Sequence, residues 1–314
     1  MKSYGIALLL GFALDCLLGD PEGFPHPVRW IGRYISWQET RLRARGGNLR
    51  RGSVWLTATT VGLSMGIVWL LLRMISLWGQ WPLIAAMAVL DWYCLSMRCL
   101  AKEANGVQKA LSQSLAAARK QVGRIVGRDP QNLSEREIIC ATVETVAENT
   151  TDGVISPMLY AFLGGPVLAM GFKAVSTLDS MVGYLNPKYR DIGWSGAKLD
   201  DLLNWIPARI CALLMIVASW LCGLDGKAAA KIVKRDHANH KSPNCAWSEA
   251  AAAGALHIRL GGAHLYFGLP VEKPTIGDED RLPTSADIGR TVRLMWVASA
   301  LWLLTLMVLA TLLG

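Results

Sequence analysis

Long apolar runs separated by polar, arginine-rich stretches set the pattern of this chain. The runs at 54–78 and 81–100 are each long enough to cross about 30 Å of hydrocarbon as helices. Between them Trp78, Gly79, Gln80, Trp81 and Pro82 predict a tight turn with its aromatics at headgroup depth, hence a helical hairpin. Further apolar runs lie at 4–18, 202–224 and 291–313, the last being the cleanest. The run at 155–175 is interrupted by Pro157, Gly164, Gly165, Pro166, Gly171 and Lys173. Helix breakers at membrane depth need protein or water around them, so this run predicts a broken or re-entrant segment. The expected fold is all-α, a polytopic membrane protein of one domain over 1–314 with four to five membrane helices and cytoplasmic helical segments. Two of those segments are legible. Residues 102–126 read as one amphipathic helix stopped at Arg128-Asp129-Pro130, and a second helix starts at Ser134, with Glu137 in capping-box position.

Composition supports the bilayer as solvent. The 314 residues are 52% hydrophobic and 18% charged with mean hydropathy +0.30, against about 25% charge in soluble domains. Thirteen tryptophans add the residue that favours membrane interfaces. The net charge of +8 is carried by loops at 19–53, 101–153 and 225–290, whose arginines and lysines mark them as cytoplasmic, and nucleic acid is not an expected partner. Only 178–204 is cation-poor, and charge counting alone puts it outside. Seven cysteines without a CxxC pair indicate reduced thiols, neither zinc nor disulfides.

Ionisable residues beside membrane helices are costly, which makes their clustering the main functional signal. Asp15 and Asp20 flank Gly19, with His26 following in P-H-P-V-R. Two carboxylates at a helix mouth suit Mg²⁺ held with waters and substrate phosphate, or simply end a helix at a proline-fixed loop. Glu144 and Glu148 are four apart and share a helical face, where like charges repel unless a cation intervenes. Asn149 and Asp152 add oxygens where that helix is expected to end at Gly153, and a Mg²⁺–phosphate site accounts for the group better than a solvated acidic face. Lys173 either snorkels or clamps phosphate oxygens. Asp179, Asp200, Asn204 and Arg209 continue the polar concentration. Arg235, His237, Ser242 and Asn244 suit substrate or phosphate contact better than metal, and Arg259 stands beside Gly261 and Gly262 as a weak phosphate-loop hint. No Walker, dinucleotide, nucleophile-elbow or zincin motif occurs.

These stretches resemble the adenosylcobinamide-phosphate synthase family of cobalamin biosynthesis, the CobD/CbiB proteins. The resemblance rests on D-C-L-L-G-D-P-x4-P-H-P-V-R-W-I-G, E-T-V-A-E-N-T-T-D-G-V-I-S-P, K-A-V-S-T-L-D-S-M-V-G-Y, Y-R-D-I-G-W-S-G-A-K-L-D-D-L-x-N-W-I-P-A-R, and K-S-P-N-C-A-W-S-E-A-A-A-A-G-A-L followed by R-L-G-G, from Asp15 to about Gly268. It implies an ATP- and Mg²⁺-dependent ligase of the bacterial inner membrane that joins adenosylcobyric acid, through its propionate carboxyl, to aminopropanol phosphate. On that reading Glu144, Glu148 and Asp152, with Asp15 or Asp20, hold the metal. Asp179 or Asp200 is the base on the amine. Lys173, His26, Arg209, Arg235, His237, Ser242, Asn244 and Arg259 contact substrate or phosphate. Membrane lipid and other corrinoid-pathway enzymes are the expected partners. Because ATP and the corrinoid are cytoplasmic, 155–204 is expected to fold back so that its polar residues face the cytoplasm. A secondary transporter and a non-catalytic scaffold of corrinoid assembly are the rival classes.

Overall fold

The computed structural model describes every residue except Met1, Pro21, Glu22, Phe24, Arg128, Phe267, Gly268 and Gly314, together with the side chains of all but 263–273. The predicted helix stop at Arg128 and Pro21 of the first motif therefore lie outside the described residues. Helices dominate, and four of them are long and apolar enough to cross a membrane, or five with the helix pair at 194–221 counted as one span. The helical membrane fold expected from the sequence is the one observed. The chain forms two compact units, 1–96 with 156–204 and 305–314, and 97–155 with 205–304.

In the first unit α1 (Lys2–Leu18) packs on α4 (Gln80–Cys94) and α8 (Ser156–Val182). Gly11 permits the approach, since a Cβ there would lie 2.8 Å from the Ala88 carbonyl oxygen and 2.9 Å from Asp91 Cβ. Small residues let helix backbones come close where lipid supplies no hydrophobic drive. The Trp92 indole then donates to the Gly19 carbonyl at 2.9 Å. Helix α2 (Pro27–Arg45) starts at His26, whose Nδ1 accepts from Val28 N, and buries Ile31, Ile35 and Gln38. It packs on α3 (Leu49–Ile75) and on α8. A 3₁₀ turn at Ser76–Trp78 and Gly79, with φ 111°, close the predicted α3–α4 hairpin, leaving Trp78 and Trp81 exposed. In α8 the breakers do break the helix: Gly164 and Gly165 are non-helical immediately before Pro166. Helix α9 (Trp194–Leu203) packs on α8 and α3.

The second unit corrects one helix boundary. The expected single helix over 102–126 is two, α5 (Met97–Leu111) and α6 (Leu115–Val122). After a turn that follows Leu111, Ser114 caps the second by accepting from Ala117 N, a local bond that serine favours over continuing a helix. Helix α7 (Glu135–Thr150) opens with the expected capping box, in which Ser134 Oγ accepts from Glu137 N and the Glu137 carboxylate accepts from Ser134 N. Ser134→Ala is expected to lower stability by about 1 kcal/mol, measurable by denaturant unfolding in detergent. The helix does not end at Gly153 as expected; Thr151–Ile155 forms a π turn that runs into α8.

Helices α10 (Trp205–Leu221), α11 (Gly226–Asp236) and α12 (Cys245–Leu256) pack together, with α12 also against α7. The alanine-rich α12 meets α11 at Gly254, where a Cβ would lie 2.7 Å from the Ala228 carbonyl oxygen. A hairpin unforeseen in an all-α reading follows, β1 (Leu260–Tyr266) antiparallel to β2 (Leu269–Ile276). Gly261 and Gly262 take φ of 78° and 100° at its irregular start, which glycine alone adopts cheaply. The last helix, α13 (Ser285–Leu312), completes the chain.

Candidate active site

Each unit gathers its own share of the residues singled out above. In the second unit the centre is the face of α7 that looks at the start of α12. Cys245 Sγ donates to Glu148 Oε1 at 3.1 Å. Burial, and then the charges of Glu148, Glu249 and Asp152, push the Cys245 thiol up. Glu249, buried on α12, was not among the sequence candidates. Its signal was present, because it stands one helical turn from Cys245 inside the W-S-E-A motif. A thiol in that setting is a poor nucleophile. Cys245 is expected to react slowly with iodoacetamide near neutral pH, and Glu249→Gln to speed the reaction several-fold, read by mass spectrometry of the labelled peptide.

On this shared face Glu148 accepts from Cys245 and Glu144 from the hairpin. Glu144, 4% exposed, accepts from Gly261 N at 2.8 Å and so ties α7 to the start of the hairpin. Among the described residues no group of three or more His, Cys, Asp or Glu side chains is arranged to hold a metal ion. A closed protein cage for Mg²⁺ therefore does not fit. An open pair does: Glu148 and Asp152 are one turn apart and part-exposed, and Mg²⁺ ordinarily takes one or two carboxylates and completes its shell with water and substrate phosphate.

Arg209 on α10 lies 4.0 Å from the Trp205 ring centroid and 4.6 Å from that of Trp247, held between two indoles. Trp247 also meets the His237 ring at 4.4 Å, while His237 Nδ1 is 3.0 Å from the Val233 carbonyl. The 240s loop is internally bonded: Ser242 N donates to His240 Nδ1 and Asn244 N to Ser242 Oγ. Arg235 and Arg259 are engaged away from this face. Arg235 pairs with Asp236 at 2.7 Å and Asp278 at 2.8 Å, and Arg259 with Glu279, which Arg136 also holds. Asp236 also accepts from Gly277 N, so these ion pairs clasp α11 to the segment after the hairpin.

In the first unit Asp15 is fully buried on α1 and its carbonyl accepts from Gly19 N. Asp20 Oδ1 stands 3.6 Å from His26 Nε2, and the His26 ring meets Tyr93 edge-on at 5.1 Å. Beside them an apolar cavity of about 460 Å³ is walled by Pro27, Trp30, Leu71, Val89, Leu90 and Tyr93. Asp91, also missed in the sequence because it is a single acid in an apolar run, is 1% exposed, and neither carboxylate oxygen has a hydrogen-bond partner among the described residues.

A second polar group in this unit joins α8 to α9. Ser156 Oγ donates to Asn204 Oδ1 at 2.6 Å, and Asn204 Nδ2 donates to Asp200 Oδ2 at 3.0 Å. The Tyr160 hydroxyl reaches the Leu203 carbonyl at 2.8 Å. Asp179 sits where α8 ends, its carbonyl accepting from Gly183 N and its carboxylate against the Gly183 Cα, where any side chain would strike it.

Comparison with known proteins settles the kinship. Residues 8–295 match the CobD/Cbib protein family. This chain belongs to that family. The cobalamin biosynthesis protein CobD of Listeria monocytogenes serovar 1/2a (strain ATCC BAA-679 / EGD-e) is 49% identical over 293 residues, covering 92% of this chain and 93% of that one. CobD of Geobacter metallireducens is 47% identical over 315 residues, covering 100% and 99%. CbiB of Salmonella typhimurium (strain LT2) is 47% identical over 303 residues, covering 94% of each. No solved structure matches. CobD/CbiB membership supports a role in cobalamin biosynthesis, and all three candidate groups lie within the matched residues.

Proposed function

We propose that this protein is the ATP- and Mg²⁺-dependent ligase that joins the propionate carboxyl of adenosylcobyric acid to the amine of (R)-1-amino-2-propanol phosphate, giving adenosylcobinamide phosphate. The observation that carries the reading is the bond from Cys245 at the start of α12 to Glu148 on α7, one turn before Asp152, in a member of a cobalamin-biosynthesis family. A carboxylate is a poor electrophile. Its oxygen attacks the γ-phosphorus of ATP and ADP leaves; the amine nitrogen then attacks the acyl carbon, phosphate leaves, and the amine gives up a proton. Glu148 and Asp152 would hold Mg²⁺, which when bound neutralises charge on the nucleotide phosphates. Arg209, fixed between Trp205 and Trp247, supplies a cation for a phosphate oxygen.

The test is purified protein in detergent with adenosylcobyric acid, aminopropanol phosphate, ATP and Mg²⁺, with mass spectrometry for the amide and for ADP. No product from folded protein overturns the ligase; flux of a corrinoid into vesicles without ATP cleavage would favour a transporter. The same reading puts the α7–α12 face on the cytoplasmic side of the bacterial inner membrane, and predicts that the polar residues of 178–204 also face the cytoplasm. A cysteine placed at Lys188 should react only with reagent on the cytoplasmic face.

A further inference from the structure

The turn between α2 and α3 carries a concentration of arginine that the proposed reaction does not use. Arg41, Arg43 and Arg45 end α2, Gly46 and Gly47 turn the chain with φ of 67° and 90°, and Arg50 and Arg51 open α3, a spanning helix. The only carboxylate on α2 is Glu39, already bonded to Arg43 at 2.9 Å. Arg43 also donates to the Lys188 carbonyl at 2.6 Å, which adds the loop carrying Lys188 and Arg190 to the same end of the unit.

Aromatic rings are interleaved with these cations. Arg41 lies 4.1 Å from the ring centroid of Trp37, and Arg50 lies 4.4 Å from that of Trp194. Trp37, Trp55 and Trp194 are 48%, 61% and 38% exposed. Trp194 is held in place because Ser195 N donates to Ser53 Oγ at 2.8 Å, pinning the start of α9 to α3. Below this belt α3 exposes Leu63, Ile67 and Leu70, a face for hydrocarbon. Tryptophan at an apolar–polar boundary marks headgroup depth, and clustered arginine directly beyond a spanning helix attracts an anionic leaflet.

We propose that this arginine–tryptophan belt binds the headgroups of anionic phospholipids, anchoring the α2–α3 end of the first unit at the membrane surface. The occupant is a bilayer lipid rather than an acidic protein, because the belt is continuous with the apolar face of a spanning helix and its indoles lie at the boundary. The inference stands whether or not the ligase reading holds.

The full-length protein, purified in detergent, is titrated with phosphatidylglycerol and, separately, with phosphatidylcholine of identical acyl chains, and bound lipid is counted by native mass spectrometry. Phosphatidylglycerol is expected to bind at least tenfold more tightly. A triple variant, Arg41→Gln, Arg50→Gln and Arg51→Gln, is expected to lose about fivefold for each arginine, on the order of a hundredfold together, and to bind both lipids alike. The matching triple lysine variant keeps the charge and should retain the preference. Equal binding of the two lipids by the unsubstituted protein overturns the proposal. So does a glutamine variant that still prefers phosphatidylglycerol, or a lysine variant that does not. Should the glutamine variant fail to fold, the other two comparisons decide.

Discussion

Glu148→Gln is expected to lower the rate of amide formation by a factor of about 10²–10³ with the protein still folded. The substitution keeps size and an acceptor for the Cys245 thiol, whose bond to Glu148 is the one hydrogen bond described for that carboxylate. What it removes is a negative charge that acts on Cys245 together with those of Asp152 and Glu249. Asp152→Asn should cost a comparable factor. Glu144→Gln provides the contrast: that carboxylate accepts from Gly261 N, so its loss should loosen the hairpin and lower stability more than it lowers the rate. Single-turnover measurement of product against protein, alongside thermal unfolding of each variant, separates the two patterns. Equal rates for Glu148→Gln and the unsubstituted protein would remove this face from the mechanism.

Asp287→Asn is expected to destabilise the second unit by about 3 kcal/mol, the low end for a broken buried ion pair because both cations are partly exposed. Asp287 is fully buried in the first turn of α13. Arg281 reaches its two oxygens at 2.6 and 2.8 Å, Arg290 adds a contact at 2.7 Å, and Thr284 N donates at 2.8 Å. An amide keeps one acceptor and loses the charge both guanidiniums face. The chemical denaturation midpoint in detergent should fall accordingly, whereas Arg290→Gln, which removes a single, 45% exposed partner, should cost 1 kcal/mol or less by the usual measure of exposed pairs. A midpoint unchanged in Asp287→Asn would mean that this cluster does not hold the start of α13.

Much of this architecture was legible because hydrocarbon enforces a simple rule. Apolar runs of twenty residues must be helices, and the tryptophans and glycine at 78–81 had to be their turn. The Ser134 capping box and the break at Gly164–Gly165 were likewise local, each decided by the residues that form it. The hairpin at 260–276 was not, because Gly261, Gly262, Pro270 and Pro274 interrupt the alternation that announces a strand, and its pairing is set by the partner strand rather than by either segment. The site was legible as an inventory but not as roles. Spacing placed Glu144 and Glu148 on one face, yet only the fold shows Glu144 bonded to Gly261 and Glu148 to Cys245. Arg235 and Arg259 looked like phosphate ligands by residue type, and their partners Asp278 and Glu279 lie far along the chain, where no periodicity points to them.

The close seat of α1 on α4 bears on how the chain is made. Residues 19–79 separate the two helices, and α1 has 17 residues with Asp15 fully buried near its end. As α1 leaves the ribosome, the α4 surface that will cover Gly11 has not been synthesised, so until then that face lacks the helix it packs on. Bulky residues at Gly11 should show up as premature turnover of nascent chains, before any fault in the finished enzyme could be seen.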